Sequence, residues 1–458
     1  MDDSVHRLIE WLQKSDRFVF SDKIQVSNIA GEGRGITLVH GEVRRNEIII
    51  SIPSDYQINF YTVLHHISIF NKEIGTGDDS DHTISEHTID SQIDPRCKAY
   101  SIFTREFLVQ LNLFQLISLY ILIEWILLPD WSNGQIESFW KPFFDVLPNA
   151  DDLKSIPTLW NCSKVIQRKN LIELLPASSR NHMDRISELV STDWHMISSP
   201  LQELLSISPS NGYDINSLYE KYLHIYFIIN SRCLHANIDI KKEDPLSQFT
   251  LVPLVDFINH SDQMDTYCYP KINYMEKTNC GIGQFVIRGG PYTFKSKHEQ
   301  ILFSYGPHSN DFLLNEYGFT LETNQWDFID ISEVMCDAIV QDAKMVEYLK
   351  SNDYWGDYTI NKEGISYRAF VAVSLYTTKD YSRIDKLIAG FISEDFFVPK
   401  IKQNVRNILQ SQLDVFDEMM KKIDDLEPLD LNDFCIYNIK NIYRGYMNIV
   451  NNCMNVTC

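Results

Sequence analysis

The chain has 458 residues, of which 44% are hydrophobic and 22% are charged, and this composition excludes a disordered or fibrous protein. Its formal net charge of −21 argues against non-specific binding to nucleic acid or to an anionic membrane, because both require a basic face. A basic partner suits such a surface better.

The nine cysteines are scattered along the chain, contain no C-x-x-C motif and are odd in number. This pattern favours reduced thiols in an intracellular compartment and argues against a cysteine-rich zinc site. The first residues, MDDSVHRLIEWLQ, lack the apolar segment of a secretory signal, so we expect none.

The first predicted elements are a short amphipathic helix and a small β unit. The apolar residues of 5–12 recur at the spacing of an amphipathic helix. Strand-like alternation begins at Ile24, a glycine-rich turn covers 31–35, and two further strand runs follow at 36–39 and 47–52.

An acidic stretch follows at 76–94, with six acidic residues and no basic ones. Such a composition predicts a solvated, mobile insertion. His82 and His87 within it are too loosely spaced to indicate a metal site, and we expect no metal in this protein.

The apolar run at 107–128 is long enough to span a bilayer. Polar residues interrupt it, namely Gln110, Asn112, Gln115, Ser118 and Glu124. Because a carboxylate in the middle of a helix is costly in lipid, the run is predicted to be a buried core helix.

The rest of the chain alternates between helical and strand character. Residues 101–250 are mostly helical in pattern, strands return at 284–287 and 300–305, and helices dominate again from about 331. The best domain boundary therefore lies near 320–330.

The segment 28–35, NIAGEGRG, superficially resembles the glycine fingerprint of a Rossmann-type site. That fingerprint needs a helix directly after the glycines, because the helix N-terminus binds the ligand. A β-branched run follows here instead, which favours a turn between two strands. Such a turn can still present its backbone to a ligand, because glycine has no Cβ.

The densest group of polar residues lies at 251–261 and, about 40 residues later, at 301–319. Asp256, Asn259 and His260 interrupt an apolar run, and buried polar groups need partners. They could form a network that satisfies the core, or a site. His260 beside Ser261 is no catalytic triad, because the chain has no G-x-S-x-G motif there.

These motifs, PLVDFINHS at 253–261 and FSYGPHSNDFLLNEYGF at 303–319, together with the glycine-rich turn, resemble the SET domain of protein methyltransferases. Segments at 138–148, 158–160 and 230–233 are similar to the subfamily of the plant Rubisco large-subunit lysine methyltransferase and the fungal ribosomal-protein lysine methyltransferases. The resemblance covers nearly the whole chain.

The resemblance implies an α+β fold, in which a SET-domain β fold with a pseudoknot is split by a helical insertion and followed by an all-α C-terminal lobe. The implied domains are 1–105 (N-terminal helix and first part of the SET domain, with a flexible acidic insertion at 76–96), 106–220 (helical insertion), 221–325 (second part of the SET domain) and 326–458 (helical substrate-binding domain).

The resemblance also implies S-adenosylmethionine as the cofactor and assigns residues to three roles. These are the catalytic Tyr305; the cofactor-binding Glu32, Gly33, Arg34, Arg232, Asn259 and His260; and the substrate-binding Arg232, Asp256, Tyr305 and Tyr317. The family's Ser-Arg-x-Phe stretch appears here as Ser231-Arg232-Cys233-Leu234, so the residues that line the ligand site next to Arg232 differ from the family's pattern.

The implied activity is methylation of a lysine on a basic protein of the translation apparatus, by a cytoplasmic monomer without direct nucleic-acid or membrane binding. A nuclear location is the alternative to the cytoplasm. Two other functions stay open: a histidine methyltransferase of the same fold, and a non-catalytic module that binds protein.

Overall fold

The computed structural model describes residues 2–75, 94–264, 266–272, 282–426 and 433–457. Most of the predicted acidic insertion, with His82 and His87, lies outside the described residues. The described strands, in chain order, are β1 (Val19–Phe20), β2 (Ile24–Ile29), β3 (Gly33–Leu38), β4 (Ile48–Ile52), β5 (Cys233–His235), β6 (Phe249–Leu251), β7 (Asn259–His260), β8 (Tyr269–Ile272), β9 (Phe285–Arg288), β10 (Gln300–Phe303), β11 (Phe328–Asp330), β12 (Thr359–Asn361) and β13 (Gly364–Ile365).

The described α-helices are α1 (Asp3–Leu12), α2 (Phe60–Phe70), α3 (Pro95–Tyr100), α4 (Arg105–Gln110), α5 (Leu113–Ile121), α6 (Leu128–Trp131), α7 (Lys141–Phe144), α8 (Pro157–Cys162), α9 (Lys169–Ile172), α10 (Ala177–Ile207), α11 (Ile215–Arg232), α12 (Asn310–Tyr317), α13 (Ser332–Ile339), α14 (Ala343–Ser351), α15 (Tyr367–Thr378), α16 (Tyr381–Ile388), α17 (Val398–Asp424) and α18 (Phe434–Thr457). The predicted helix at 5–12 and the predicted strands near 24, 48, 285 and 300 are confirmed.

The residues group into two compact units. The first comprises Met1–Lys154, Cys162–Gln167 and Arg185–Gly306, and the second comprises Ser155–Asn161, Arg168–Asp184 and Pro307–Cys458. The division after Gly306 precedes the boundary that the sequence suggested near 320–330. Helix α11 runs continuously through the expected limit at 220/221.

The β structure of the first unit comprises two four-stranded sheets, with strand orders β1-β4-β9-β8 and β2-β3-β10-β7, and the antiparallel pair β5-β6. The pairs in both sheets are antiparallel apart from β7 and β10, which run parallel with Asn259 opposite Leu302 and His260 opposite Phe303. Parallel neighbours cannot be joined by a tight turn, and the described residues between these two strands include β8 and β9 of the other sheet.

The glycine-rich segment is a β-hairpin, as predicted from the β-branched run that follows the glycines. Strands β2 and β3 pair from Ile24–Leu38 to Ile29–Gly33, so the turn itself is only Ala30-Gly31-Glu32. Gly31 and Gly33 have φ values of +80° and +78°, a region that favours glycine. The Rossmann interpretation is therefore excluded for this segment.

The apolar run is a helix in three parts: α5, a π-helical segment at Leu122–Leu127, and α6. The segment Leu113–Trp131 is long and apolar enough to cross a membrane, but 72% of its most apolar window is buried inside the protein. Asn112, one of the polar interruptions, caps the start of α5, because its side-chain oxygen accepts a hydrogen bond from the backbone N–H of Gln115.

Glu124 lies fully buried in the π-helical segment and accepts hydrogen bonds from two hydroxyls, Tyr100 Oη at 2.8 Å and Ser138 Oγ at 2.6 Å. The Arg96 guanidinium lies 3.4 Å from the same carboxylate. A carboxylate with this set of donors belongs to a protein interior, which supports the core-helix interpretation.

The α+β class is confirmed, but the C-terminal lobe is not entirely helical. A three-stranded sheet with the order β11-β12-β13 lies within the second unit. Its strands have only two or three residues each, and Lys362 and Glu363 alone separate β12 from β13. Strands this short are too brief to show the apolar alternation by which the longer ones were predicted.

His66 lies at the end of a buried chain of polar contacts in the first unit. The Trp140 indole N–H donates to Tyr120 Oη at 2.8 Å, and the Tyr120 hydroxyl contacts His66 Nδ1. The indole can only donate, so Tyr120 Oη accepts from it, and the tyrosine proton is available to a neutral His66 whose Nδ1 is unprotonated. Burial lowers the pKa of His66 to about 4.

We expect acid to destabilise the protein through His66. The unfolded imidazole takes up a proton near pH 6.5 while the folded one stays neutral to about pH 4, so stability is lost as the pH falls through this window, by about 3 kcal/mol in full. The measurement is the free energy of unfolding at pH 7 and pH 4.5. His66→Gln, which keeps an acceptor, should lose less than the wild type, whereas His6→Gln at an exposed site should follow it. Equal losses in all three proteins would contradict the assignment.

Candidate active site

The parallel pairing of β7 and β10 gathers most of the predicted site in the first unit. It aligns Asn259 and His260 with the end of β10, and Tyr305 follows that strand by two residues. The β2–β3 hairpin lies in the same sheet, because β3 pairs with β10. Motifs far apart in the sequence are thus brought together by strand register.

His260 and Tyr305 are held against each other. The Tyr305 amide donates to His260 Nδ1 at 3.0 Å, and the ring centroids lie 5.0 Å apart. Because Nδ1 accepts, a neutral His260 carries its proton on Nε2. The backbone of one predicted site residue therefore sets the tautomer of another.

The Tyr305 hydroxyl is a neutral donor. It donates to the Ile258 carbonyl oxygen at 2.9 Å, and burial raises the pKa of Tyr305 above its usual value. At neutral pH the phenol is therefore protonated, and it can orient a ligand by hydrogen bonding but cannot act as a phenolate base.

Asn259, Gln300 and Glu32 form a three-membered cluster beside the hairpin turn. Asn259 Nδ2 donates to Gln300 Oε1 at 2.6 Å and to Glu32 Oε2 at 3.2 Å, and Gln300 Nε2 donates to Glu32 Oε2 at 3.0 Å. Gln300 was not predicted, because it appeared only as the first residue of a strand. Its partners become visible only from the strand register.

The Arg34 side chain is occupied by structural contacts. Its guanidinium donates to the Val146 carbonyl oxygen and, at 3.2 Å, to the Asp2 carboxylate, and it lies 5.6 Å from the centre of the Phe257 ring. A cofactor role of the 32–34 segment would therefore fall to its backbone and to Glu32. The Arg34 side chain anchors the first helix and the hairpin.

Arg232 and Asp256 form an ion pair between a partly exposed guanidinium and a buried carboxylate. Arg232 Nη1 lies 3.1 Å from Asp256 Oδ2 and donates to the Asp256 carbonyl oxygen at 2.9 Å. The Asp256 carboxylate is fully buried, and burial raises its pKa against the opposing effect of the arginine charge. Within the described residues, Asp256 Oδ1 and Arg232 Nε have no hydrogen-bond partner.

The backbone next to this pair is strained. Leu254 has a φ of +65° and a ψ of −34°, a conformation that residues with a Cβ rarely adopt. It caps the 3-10 turn Val255–Phe257, which carries Asp256. Strain that is kept beside an incompletely satisfied ion pair is typical of a functional site.

Tyr317 lies in the second unit, where it is the last residue of α12. The helix ends there at Gly318, whose φ of +80° supplies the left-handed cap. The ring of Tyr317 lies 6.1 Å from that of Phe319. Its predicted role in substrate binding stays a prediction.

The cluster suits a small cationic ligand that carries hydrogen-bond donors. The Glu32 carboxylate supplies negative charge, and the Asn259 amide oxygen supplies an acceptor. The Tyr305 hydroxyl donates its proton to the Ile258 carbonyl oxygen, so its own oxygen can accept a hydrogen bond from a ligand. Gly35 provides space, because a Cβ there would lie 2.7 Å from Ile29 Cγ1 and 2.8 Å from Gln300 Oε1. No group of three or more potential metal ligands occurs among the described residues.

Comparison with known proteins gives a consistent result. Residues 327–456 match the family model of the ribosomal lysine N-methyltransferase 2 C-terminal domain. The chain is 44% identical to ribosomal lysine N-methyltransferase 2 of Saccharomyces cerevisiae in an alignment of 474 positions that covers 98% of each chain. It is 26% identical to ribosomal lysine N-methyltransferase set11 of Schizosaccharomyces pombe, over 43% of this chain and 50% of the relative.

Solved structures show the same fold. The SET domain of LSMT bound to lysine and AdoHcy has a TM-score of 0.57 at 15% identity, over 99% of this chain and 91% of that chain. Rubisco LSMT bound to AdoMet has a TM-score of 0.55 at 16% identity, over 100% of this chain and 92% of that chain. The SET-domain fold predicted from the motifs is thus confirmed.

We expect Arg232→Met to lower the free energy of unfolding by about 3 kcal/mol, because it leaves the Asp256 carboxylate buried and uncompensated. Arg232→Met/Asp256→Asn should recover more than half of this loss, since the buried charge is gone. Urea unfolding measures both variants.

The matched control is Lys422→Met, which removes an exposed ion pair with Glu418 and should cost less than about 1 kcal/mol. A double variant as unstable as Arg232→Met alone would show that charge burial is not the cause.

Proposed function

The chain belongs to the ribosomal lysine N-methyltransferase 2 family, and we propose that Glu32, Asn259, His260 and Tyr305 form the centre of its active site. It is a protein-lysine methyltransferase that uses S-adenosylmethionine. The observation that supports the proposed site best is the parallel register of β7 and β10, which joins these residues in one cluster.

Methyl transfer to a lysine depends more on aligning the amine with the methyl group than on a strong acid or base in the site. S-adenosylmethionine supplies a methyl group activated by its sulfonium. A lysine amine with a pKa near 10.4 is mostly protonated at pH 7, and access to its neutral form costs roughly 4 to 5 kcal/mol. An apolar, partly buried site favours the neutral amine by desolvation, and alignment of the reacting atoms supplies much of the rate.

Each residue of the proposed site has a separate task. The Tyr305 hydroxyl, held neutral by burial, orients the amine or the methyl group. Glu32 and the Asn259 amide oxygen provide acceptors for the cofactor's ammonium group. His260 holds Tyr305 in place by accepting a hydrogen bond from the Tyr305 backbone N–H. The Arg232–Asp256 pair has a role in substrate binding, and Tyr317 has a separate one.

The substrate is a basic ribosomal protein. The names of the relatives from both yeasts support a ribosomal substrate. Charge supports a basic one: the whole chain carries −21, and residues 321–458 hold 14 basic and 22 acidic side chains, a balance of −8. An acidic enzyme surface steers a basic partner toward it.

The remaining parts of the proposal concern the protein as a whole. We propose a cytoplasmic monomer that recognises its substrate by protein contacts and not by binding nucleic acid, with a nuclear location as the alternative. Its four-part division at 105, 220 and 325 is part of the same proposal, with 326–458 as the substrate-binding domain. The family model that covers 327–456 is consistent with the last of these limits.

We expect Tyr305→Phe to lower kcat about 100-fold or more, while the Kd for S-adenosylmethionine changes less than about threefold. The phenol orients the reacting groups but does not hold the cofactor, and misalignment alone can cost about two orders of magnitude. Calorimetric titration measures the affinity, and transfer of labelled methyl groups measures turnover. Tyr269→Phe, which removes an exposed hydroxyl bonded to Asn46, should leave both unchanged. Unchanged turnover of Tyr305→Phe would mean that the catalytic tyrosine is misassigned.

Mass spectrometry of the methylated substrate tests the acceptor residue. Ribosomal proteins from cells that lack this enzyme should gain methyl groups on lysine when purified enzyme and labelled cofactor are added. Methyl-histidine as the only product would support the histidine alternative. A failure of the wild-type protein to bind the cofactor would support the non-catalytic alternative.

A further inference from the structure

Gln300 contacts two residues of the proposed cofactor site, and neither the motifs nor the comparisons give it a role. It is the first residue of β10 and lies opposite Thr37 of β3. Its side-chain amide donates to Glu32 and accepts from Asn259, so it links the hairpin turn to β7. A single side chain thus joins the two segments that the register brings together.

The three side chains orient one another without ambiguity. An ionised carboxylate can only accept hydrogen bonds, so both amides must turn their NH2 groups toward Glu32. Asn259 then also presents its NH2 group to Gln300 Oε1, which lies 2.6 Å away. Both contacts of Asn259 are therefore made by its NH2 group, and its Oδ1 takes no part in this cluster.

Gly35 makes this arrangement possible. A Cβ at this position would lie 2.8 Å from Gln300 Oε1 and 3.1 Å from Asn259 Nδ2. The backbone of β3 is therefore packed directly against the two amides. Such close packing restricts their rotamers, and ordering side chains before a ligand arrives reduces the entropy that binding must lose.

From these contacts we infer that Gln300 is a cofactor-positioning residue. It holds the Asn259 amide with Oδ1 available to a donor group of S-adenosylmethionine, and it holds the Glu32 carboxylate beside that position. The inference rests on the proposed function, because it takes Asn259 and Glu32 as cofactor-binding residues. Gln300 acts through these two side chains and need not touch the cofactor.

The first experiment is calorimetric titration of full-length variants with S-adenosylmethionine. Gln300→Ala should raise the Kd about 5- to 30-fold, the loss expected for one or two hydrogen bonds. In assays with the substrate protein the KM for the cofactor should rise to a similar extent, while kcat and the KM for the protein stay within about twofold. A purely structural role would instead lower the melting temperature and affect every kinetic parameter.

The matched control is Gln25→Ala. Gln25 lies on β2, and it pairs with Thr37 on the side of β3 that faces away from β10. Among the described residues, its side-chain amide donates to Ser27 Oγ. It shares the residue type and the sheet position of Gln300 but lacks contact with Glu32 and Asn259. Its Kd should equal that of the wild type.

A double-mutant cycle tests the orienting mechanism. Gln300→Glu places a second carboxylate beside Glu32 and should weaken binding, because like charges repel and the hydrogen bond from residue 300 to Glu32 is lost. Glu32→Gln/Gln300→Glu exchanges donor and acceptor and restores the pairing. The combined loss in affinity should therefore be at least about fivefold smaller than the product of the two single losses.

The outcomes separate this inference from the proposed function. Wild-type protein that binds and transfers methyl groups while Gln300→Ala binds equally well would overturn the role of Gln300 alone. Single losses that simply multiply in the double variant would also overturn it. Wild-type protein that binds no S-adenosylmethionine would overturn the proposed function and this inference together.

Discussion

The active site depends on one short stretch of parallel strand pairing. Only two residue pairs, Asn259 with Leu302 and His260 with Phe303, define the contact between β7 and β10. A shift by one residue would turn Asn259 away from Gln300 and separate His260 from the Tyr305 amide. Because the strands are so short, side-chain bonds such as those of Gln300 and Tyr305 are needed to hold this register.

The polar groups of the site are fixed before any ligand binds. The Asn259 amide, the His260 tautomer and the Tyr305 hydroxyl are each set by a protein partner, and the Asp256 carboxylate is buried beside the strained backbone at Leu254. This organisation costs stability, since a buried carboxylate and a leucine with a positive φ are both unfavourable. It suits a reaction in which alignment, not acid–base strength, limits the rate.

Much of this could be predicted from the sequence, for definable reasons. The hairpin at 24–38 followed from alternation and glycines, and the site motifs at 256–260 and 305 followed from their resemblance to a family. Gln300 could not be found, because its role arises from parallel register between distant segments. The contacts of Arg34 with Asp2 and Val146 are equally non-local, and β11 to β13 are too short for a periodic pattern.

The most direct test of this account is a crystal structure of the protein with S-adenosylhomocysteine. We expect the amino-acid end of the ligand against the 32–34 backbone and the Asn259 side chain, with the sulfur facing the Tyr305 hydroxyl and Gln300 still bonded to Asn259. A ligand bound elsewhere in the chain, with the 256–260 segment and Tyr305 not in contact with it, would contradict the proposed site.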